Sequence, residues 1–282
     1  MTEPELSHLS PRLARYGAAK DPEDERDYAY AISPKVKTLP SRVDLRPHCP
    51  PVKDQGRIGT CTAHAIAAAF RFEQRRSKLP DFAPSRLFIY YNERALKGTQ
   101  RKHAAANLRA GLKAVAGLGV CPERYCPYSE TMSVVHAKPP AEAYEQAKPH
   151  RIITYRRLMM GGRSESAFLK MLKSCLAERY PFLFAFQVYS SFETEKVRET
   201  GIMPLPESRE EIITMHAVLA VGYDDRRERM LVRNSWGPSW GQGGYFWMPY
   251  EYIVRPEVTA DFWTIRGVTG PDTEGRSGTG RV

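Results

Sequence analysis

Pro51-Val52-Lys53-Asp54-Gln55-Gly56-Arg57-Ile58-Gly59-Thr60-Cys61-Thr62-Ala63-His64-Ala65 places a Gln and a glycine-rich bend directly ahead of a cysteine that opens an Ala-rich stretch. Thr62 to Arg76 carries Ile66, Phe70 and Phe72 and no Gly or Pro, so a helix beginning at Cys61 is predicted. A sulfur there faces unpaired backbone N–H groups and the positive helix end, which favour the anion. That matters because the thiolate is the nucleophile, and an unperturbed cysteine with a pKa of about 8.5 is mostly protonated at neutral pH.

Downstream, Met215-His216-Ala217-Val218 and Arg233-Asn234-Ser235-Trp236-Gly237 complete an ordered Gln, Cys, His, Asn series. His216 is the candidate base that takes the thiol proton and later gives it to a leaving amine. The Asn234 carbonyl would hold the imidazole at the right rotation without adding a full charge. Gln55 and the Cys61 backbone N–H would donate to the oxyanion that forms on attack, each lowering the barrier by roughly 3 kcal/mol.

These residues resemble papain-like cysteine peptidases. Gln55 to Cys61 is similar to their active-site signature, His216-Ala217-Val218 through Gly222-Tyr223 to their histidine strand, and Asn234 to Tyr245, with Trp236-Gly237 and Trp240-Gly241, to their asparagine segment. The resemblance spans roughly residues 40 to 268. It implies an α+β fold of two lobes, one mainly helical and one β-barrel-like and antiparallel, with the active site in the cleft between them. It also implies that Trp236 shields the His216 to Asn234 bond and that Trp240 lines the leaving-group side. Ala105-Ala106 stand near the pair that binds substrate backbone in that family, where Gly-Gly is common. Ile58 replaces a usual half-cystine, which removes an argument for an oxidising compartment, and Thr62 replaces a usual Trp. Thr62 and the run Arg46-Pro47-His48-Cys49-Pro50-Pro51-Val52 point to the bacterial-type branch.

Simpler readings compete with each assignment. A cysteine at a helix start is commonly a small buried hydrophobe, His216 could be a core histidine ahead of Ala217 to Val221, and Asn234 an ordinary turn residue. His64 is a rival base, but from within the same helix it is poorly placed to address the sulfur. The five cysteines, Cys49, Cys61, Cys121, Cys126 and Cys175, supply only one close pair, Cys121 and Cys126, so neither a metal nor a cofactor is expected. Disulfide pairing among the other four stays open.

At 282 residues, with 42% hydrophobic content, the chain can bury one large core or two modest lobes. It has no apolar run of membrane-spanning length and no apolar export signal over Met1 to Lys20, so a soluble, non-membrane protein is expected, cytoplasmic or exported by a route the sequence does not reveal. The net charge of +10 is dispersed rather than gathered into a basic run, which disfavours nucleic acid as a partner and leaves an anionic ligand open.

Residues 1 to 40 read as a polar N-terminal extension, 61 to 150 as a mainly helical lobe, 151 to 268 as a β-rich lobe with one helix near Ser164 to Glu178, and 269 to 282 as a flexible tail. Helices are predicted at Ser85 to Leu96 and Asn107 to Ala116, and strands at Phe182 to Tyr189, His216 to Tyr223, Met230 to Arg233 and Gly244 to Met248. The expected function is hydrolysis of peptide or protein substrates through an acyl-enzyme. The alternatives are a thiol isopeptidase or acyltransferase using the same residues, and a silent binding module. The extension is too short for a long helical prodomain and is expected to drape over or beside the cleft as an intramolecular inhibitor. Met215 and Ala217 flank His216 and are expected to border an apolar pocket for the residue two before the scissile bond.

Overall fold

The computed structural model describes residues 15–22, 24–32, 38–102 and 104–271. Much of the extension and nearly all of the expected tail lie outside them. Thr269, the first tail residue, donates its backbone N–H to the Arg151 carbonyl and so continues the sheet edge.

Three helices are started by the side chain just ahead of them. Ser85 caps α2 (Arg86–Ala95) by accepting from the Phe88 N–H, Asn107 caps α3 (Leu108–Leu118) through Ala110, and Ser164 caps α6 (Glu165–Ala177) through Ala167. Helix α1 (Cys61–Arg76) has no such cap. Its alanines instead let it approach the sheet closely, and it packs on α2 and α3 on one side and on β3, β4 and β7 on the other. Two shorter helices, α4 (Met132–His136) and α5 (Ala141–Ala147), complete the helical lobe.

The second lobe is an antiparallel sheet in the order β2 (Ile152–Arg157), β7 (Thr259–Val268), β3 (Phe182–Tyr189), β4 (Ile212–Asp224), β5 (Arg229–Arg233), β6 (Tyr245–Pro249). Short helices α7 (Glu195–Thr200) and α8 (Tyr250–Ile253) join its strands. Strand β4 changes neighbours along its length. Its first part pairs with β3 as far as Ala220 opposite Phe182, and Gly222 to Asp224 then pair with β1 (Arg42–Asp44). That exchange, with a register shift against β5 between Ala220 and Gly222, bends the sheet. Strands β3 and β4 read as continuous apolar runs because both faces are covered.

The three long helices of the helical lobe meet at a buried carboxyl. Glu93 of α2 is fully enclosed and accepts a 2.7 Å hydrogen bond from the Thr62 hydroxyl of α1. Gly111 of α3 makes room for it, since a Cβ there would lie 2.7 Å from Glu93 Oε2 and 2.3 Å from the Ile66 side chain. Burial pushes the Glu93 carboxyl up from 4.5 to about 8. Between those values the folded chain keeps a proton that the unfolded chain releases, so stability falls as pH rises through the window. Urea denaturation between pH 4.5 and 8 should show this fall, and Glu93→Gln should flatten it by about 1 kcal/mol or more; parallel curves would contradict the assignment.

Candidate active site

Cys61 sits at the first residue of α1 with no exposed surface. The backbone N–H groups of Ala217 in β4, Gly17 in the N-terminal segment and Thr62 in α1 lie around its sulfur and favour its anion. His216, one residue before Ala217, turns Nε2 to Asn234 Oδ1 at 2.8 Å and leaves Nδ1 buried without a partner in the structure. The Trp236 ring covers this pair, with its centroid 5.0 Å from the imidazole and tilted by 30°. Strand pairing sets the position of His216 opposite Phe186, so its rotation is held by neighbours above, below and beside it.

Gln55 is also oriented. Its Oε1 accepts from the Ser235 hydroxyl, its backbone N–H donates to the Ser235 carbonyl at 2.8 Å, and its Nε2 donates to Ile58 O at 2.8 Å and to Arg15 O at 2.6 Å. The bend that brings this about uses Gly56 at φ +59°, with its N–H on the Asp54 carboxylate. Tyr128 buttresses it by donating to Gln55 O at 2.8 Å.

The N-terminal segment runs through the middle of this arrangement. Arg15 lies 3.9 Å above the Trp236 ring, Tyr16 is completely buried edge-on to His216 at 5.4 Å, and Gly17 accepts at its carbonyl from the Ala106 N–H at 2.8 Å. Ala19 then donates to Ala106 O, making a parallel bridge. Gly17 fits against backbone: a Cβ there would lie 1.9 Å from Gly59 O. Beyond it, Asp21 accepts from Arg109 N–H and Trp263 Nε1, and Asp27 pairs with Arg109 and Arg157, tying the segment to both lobes.

Enclosure decides the charge state. Burial pushes the Cys61 thiol up to about 11, against the lowering effect of its N–H donors, and burial pulls His216 down to about 3. Burial therefore favours the neutral form of both Cys61 and His216 in this closed arrangement.

Known proteins place this geometry. The description of papain family cysteine proteases matches residues 39–258. The chain belongs to the papain family of cysteine proteases. A peptidase C1-like protein of Acanthamoeba polyphaga mimivirus is 37% identical over 91% of this chain and 88% of its own length. Xylellain, a cysteine protease from Xylella fastidiosa, is 41% identical with a TM-score of 0.82, covering 90% of this chain and 96% of its own, and agrees with a bacterial-type branch. Procathepsin L2 from the larval midgut of Tenebrio molitor, at 19% identity and TM-score 0.68 over 92% of this chain and 81% of its own, shares the fold.

Within this papain-family protease, Gln55, Cys61, His216 and Asn234 converge, and Trp236 and Trp240 stand beside them, their rings edge-to-face at 5.0 Å. Ala106 meets peptide backbone, whereas its neighbour Ala105 is simply buried. Ala217 lines a small cavity of about 40 Å³ with Ala65 and Asn234, and Met215 is half-buried opposite Gln187. His64 points away from the sulfur, bonded to Thr60 and facing Arg86 and Tyr128. All five cysteines are free thiols, so Cys121 and Cys126 are unbridged. Ser235, Tyr16 and Glu193 were not singled out from sequence. Ser235 carries a signal in hindsight, lying inside the Asn234 to Gly237 motif.

Among the described residues no helix is long and apolar enough to cross a membrane. Carboxamidomethylation of Cys61, followed by mass mapping, should be slow near neutrality in the intact chain and accelerate towards pH 11. Gly17→Val should move the onset to lower pH; superimposable profiles would show that the segment does not cover the thiol.

Proposed function

We propose that this protease hydrolyses peptide bonds through Cys61, His216, Asn234 and Gln55, and that residues around Gly17 hold it latent. The observation that carries this reading is the 2.6 Å bond from Gln55 Nε2 to the Arg15 carbonyl: a peptide oxygen already lies where a developing oxyanion would be stabilised.

In the proposed cycle the Cys61 proton passes to His216 as the sulfur adds to the scissile carbonyl. Negative charge on that oxygen is met by Gln55 Nε2 and the Cys61 backbone N–H. Collapse expels the amine, which takes the proton from His216 and leaves a thioester. Water, deprotonated by His216, then adds to the thioester carbonyl, and breaking of the C–S bond releases the acid and expels the Cys61 thiolate beside the protonated His216. Asn234 keeps the ring aligned through both transfers, and Trp236 keeps water off the Asn234 bond.

The bound segment is not disposed for its own cleavage. The carbonyl at Gln55 is that of Arg15, while the group on the sulfur is the Gly17 N–H, two residues further on. A donor therefore stands where an electrophilic carbon is needed. Latency in this reading has a steric part, the filled cleft, and an electrostatic part, the neutral Cys61 and His216 beneath it. Releasing the segment would rehydrate both groups and favour the thiolate-imidazolium pair.

Hydrolysis of quenched peptides and labelling by an epoxide that alkylates papain-family nucleophiles test the reading together. Gly17→Val should cut peptides at least about tenfold faster than the intact chain, since its side chain cannot share space with Gly59 O. In that background Gln55→Ala should lower kcat roughly 10²-fold or more, and Cys61→Ser should abolish both labelling and turnover. Equal or lower activity in folded Gly17→Val would overturn the latency. A new amide in place of a free carboxylate product would assign acyl transfer instead.

A further inference from the structure

Glu193 is fixed beside the cleft by a turn that has little freedom. It ends a single 3-10 turn, Ser190–Glu193, that follows β3. The preceding Phe192 is buried, with ring centroids 5.4 Å from Phe186, 5.6 Å from Trp236 and from Trp240, and 5.1 Å from Phe246. The Glu193 carboxylate, only 6% exposed, receives the Arg15 guanidinium at 2.6 Å on both oxygens and the Tyr16 hydroxyl. The central carbon of the same guanidinium sits 3.9 Å from the Trp236 ring centroid.

Two recognition elements for a planar cation thus belong to the body of the enzyme and not to the segment: a held carboxylate and an indole face. The turn that carries Glu193 is anchored in the body through Phe192, which packs on Trp236 and Trp240. Trp236 covers the histidine that hands a proton to the leaving amine, so this position lies on the leaving-group side. A cavity of about 260 Å³ adjoins it, bounded by Asp54, Arg198, Trp236 and Trp240. Arg198 answers to Glu195 of its own helix, so Glu193 keeps its aim towards the cleft.

We propose that Glu193 and Trp236 form a binding pocket for an arginine, and less well a lysine, within the first two substrate residues after the scissile bond. The assignment rests on the peptidase and latency reading above, with Arg15 as the resident occupant. Arginine is favoured over lysine because its broad, weakly hydrated guanidinium can lie over the indole while its Nη2 reaches the carboxylate.

The test uses full-length Gly17→Val and quenched peptides carrying Arg, Lys, norleucine or Glu at the first or second position after the cleaved bond. Arg should exceed norleucine in kcat/KM by about tenfold, as a charge-assisted pair in a mostly enclosed site provides. Glu193→Gln should shrink that ratio to within about twofold, and Glu193→Lys should make the Glu peptide better than the Arg peptide, an inversion that misfolding cannot produce. An Arg preference that survives Glu193→Gln, or none in the parent, would overturn the pocket alone. Failure to cut any peptide while Cys61 still alkylates would overturn the peptidase reading, and the pocket with it.

Discussion

Three N–H groups converge on one sulfur, and they come from the start of α1, from β4 and from the N-terminal segment. For Thr62 to donate, Cys61 must open the helix. For Ala217 to donate, β4 must lie against α1, and His216 is the adjacent residue of that strand. For Gly17 to donate, the segment must lie flat on Gly59, where only a glycine fits. One atom therefore fixes the relation of both lobes and of the strap across them.

The closed arrangement is held at its two ends by charges and in its middle by backbone. Arg15 to Glu193 anchors one end, and Asp21 and Asp27 with Arg109 and Arg157 anchor the other. Buried ion pairs of this kind contribute more to orientation than to net stability, because the desolvation of each partner offsets much of the attraction. A strap so built is specific in register yet separable from the body. In the body, Phe182 to Phe186 and Ala217 to Val221 are buried where α1 packs on the sheet.

The elements with strong local chemistry were readable. Ser85, Asn107 and Ser164 announced their helices because each side chain accepts from an N–H three residues on. Strand β7 (Thr259–Val268) was not readable, because Asp261 and Thr264 interrupt its apolar pattern; both are buried, and Asp261 adopts φ +59° at an irregularity against β3. Strand β2 (Ile152–Arg157) was hidden by exposed Ile153 and by paired arginines whose partners are far away in sequence. Cys61, Gln55, His216 and Asn234 stood out because each sits in a recognisable local frame. Glu193 had no such frame: its significance arises only from Arg15, 178 residues earlier. That is the general reason its contacts are not legible in the sequence.

The central claim is that the resting chain holds residues 17 to 19 against Ala106 over the nucleophile. Amide hydrogen exchange of Ala19 and Ala106, before and after Cys61 is alkylated by a peptidyl epoxide, tests it most directly. The account predicts that the Ala19 amide is protected in the resting chain, through its bond to Ala106 O, and loses that protection once the inhibitor fills the cleft. An Ala19 amide that exchanges at the rate of free peptide before any inhibitor is added would contradict it.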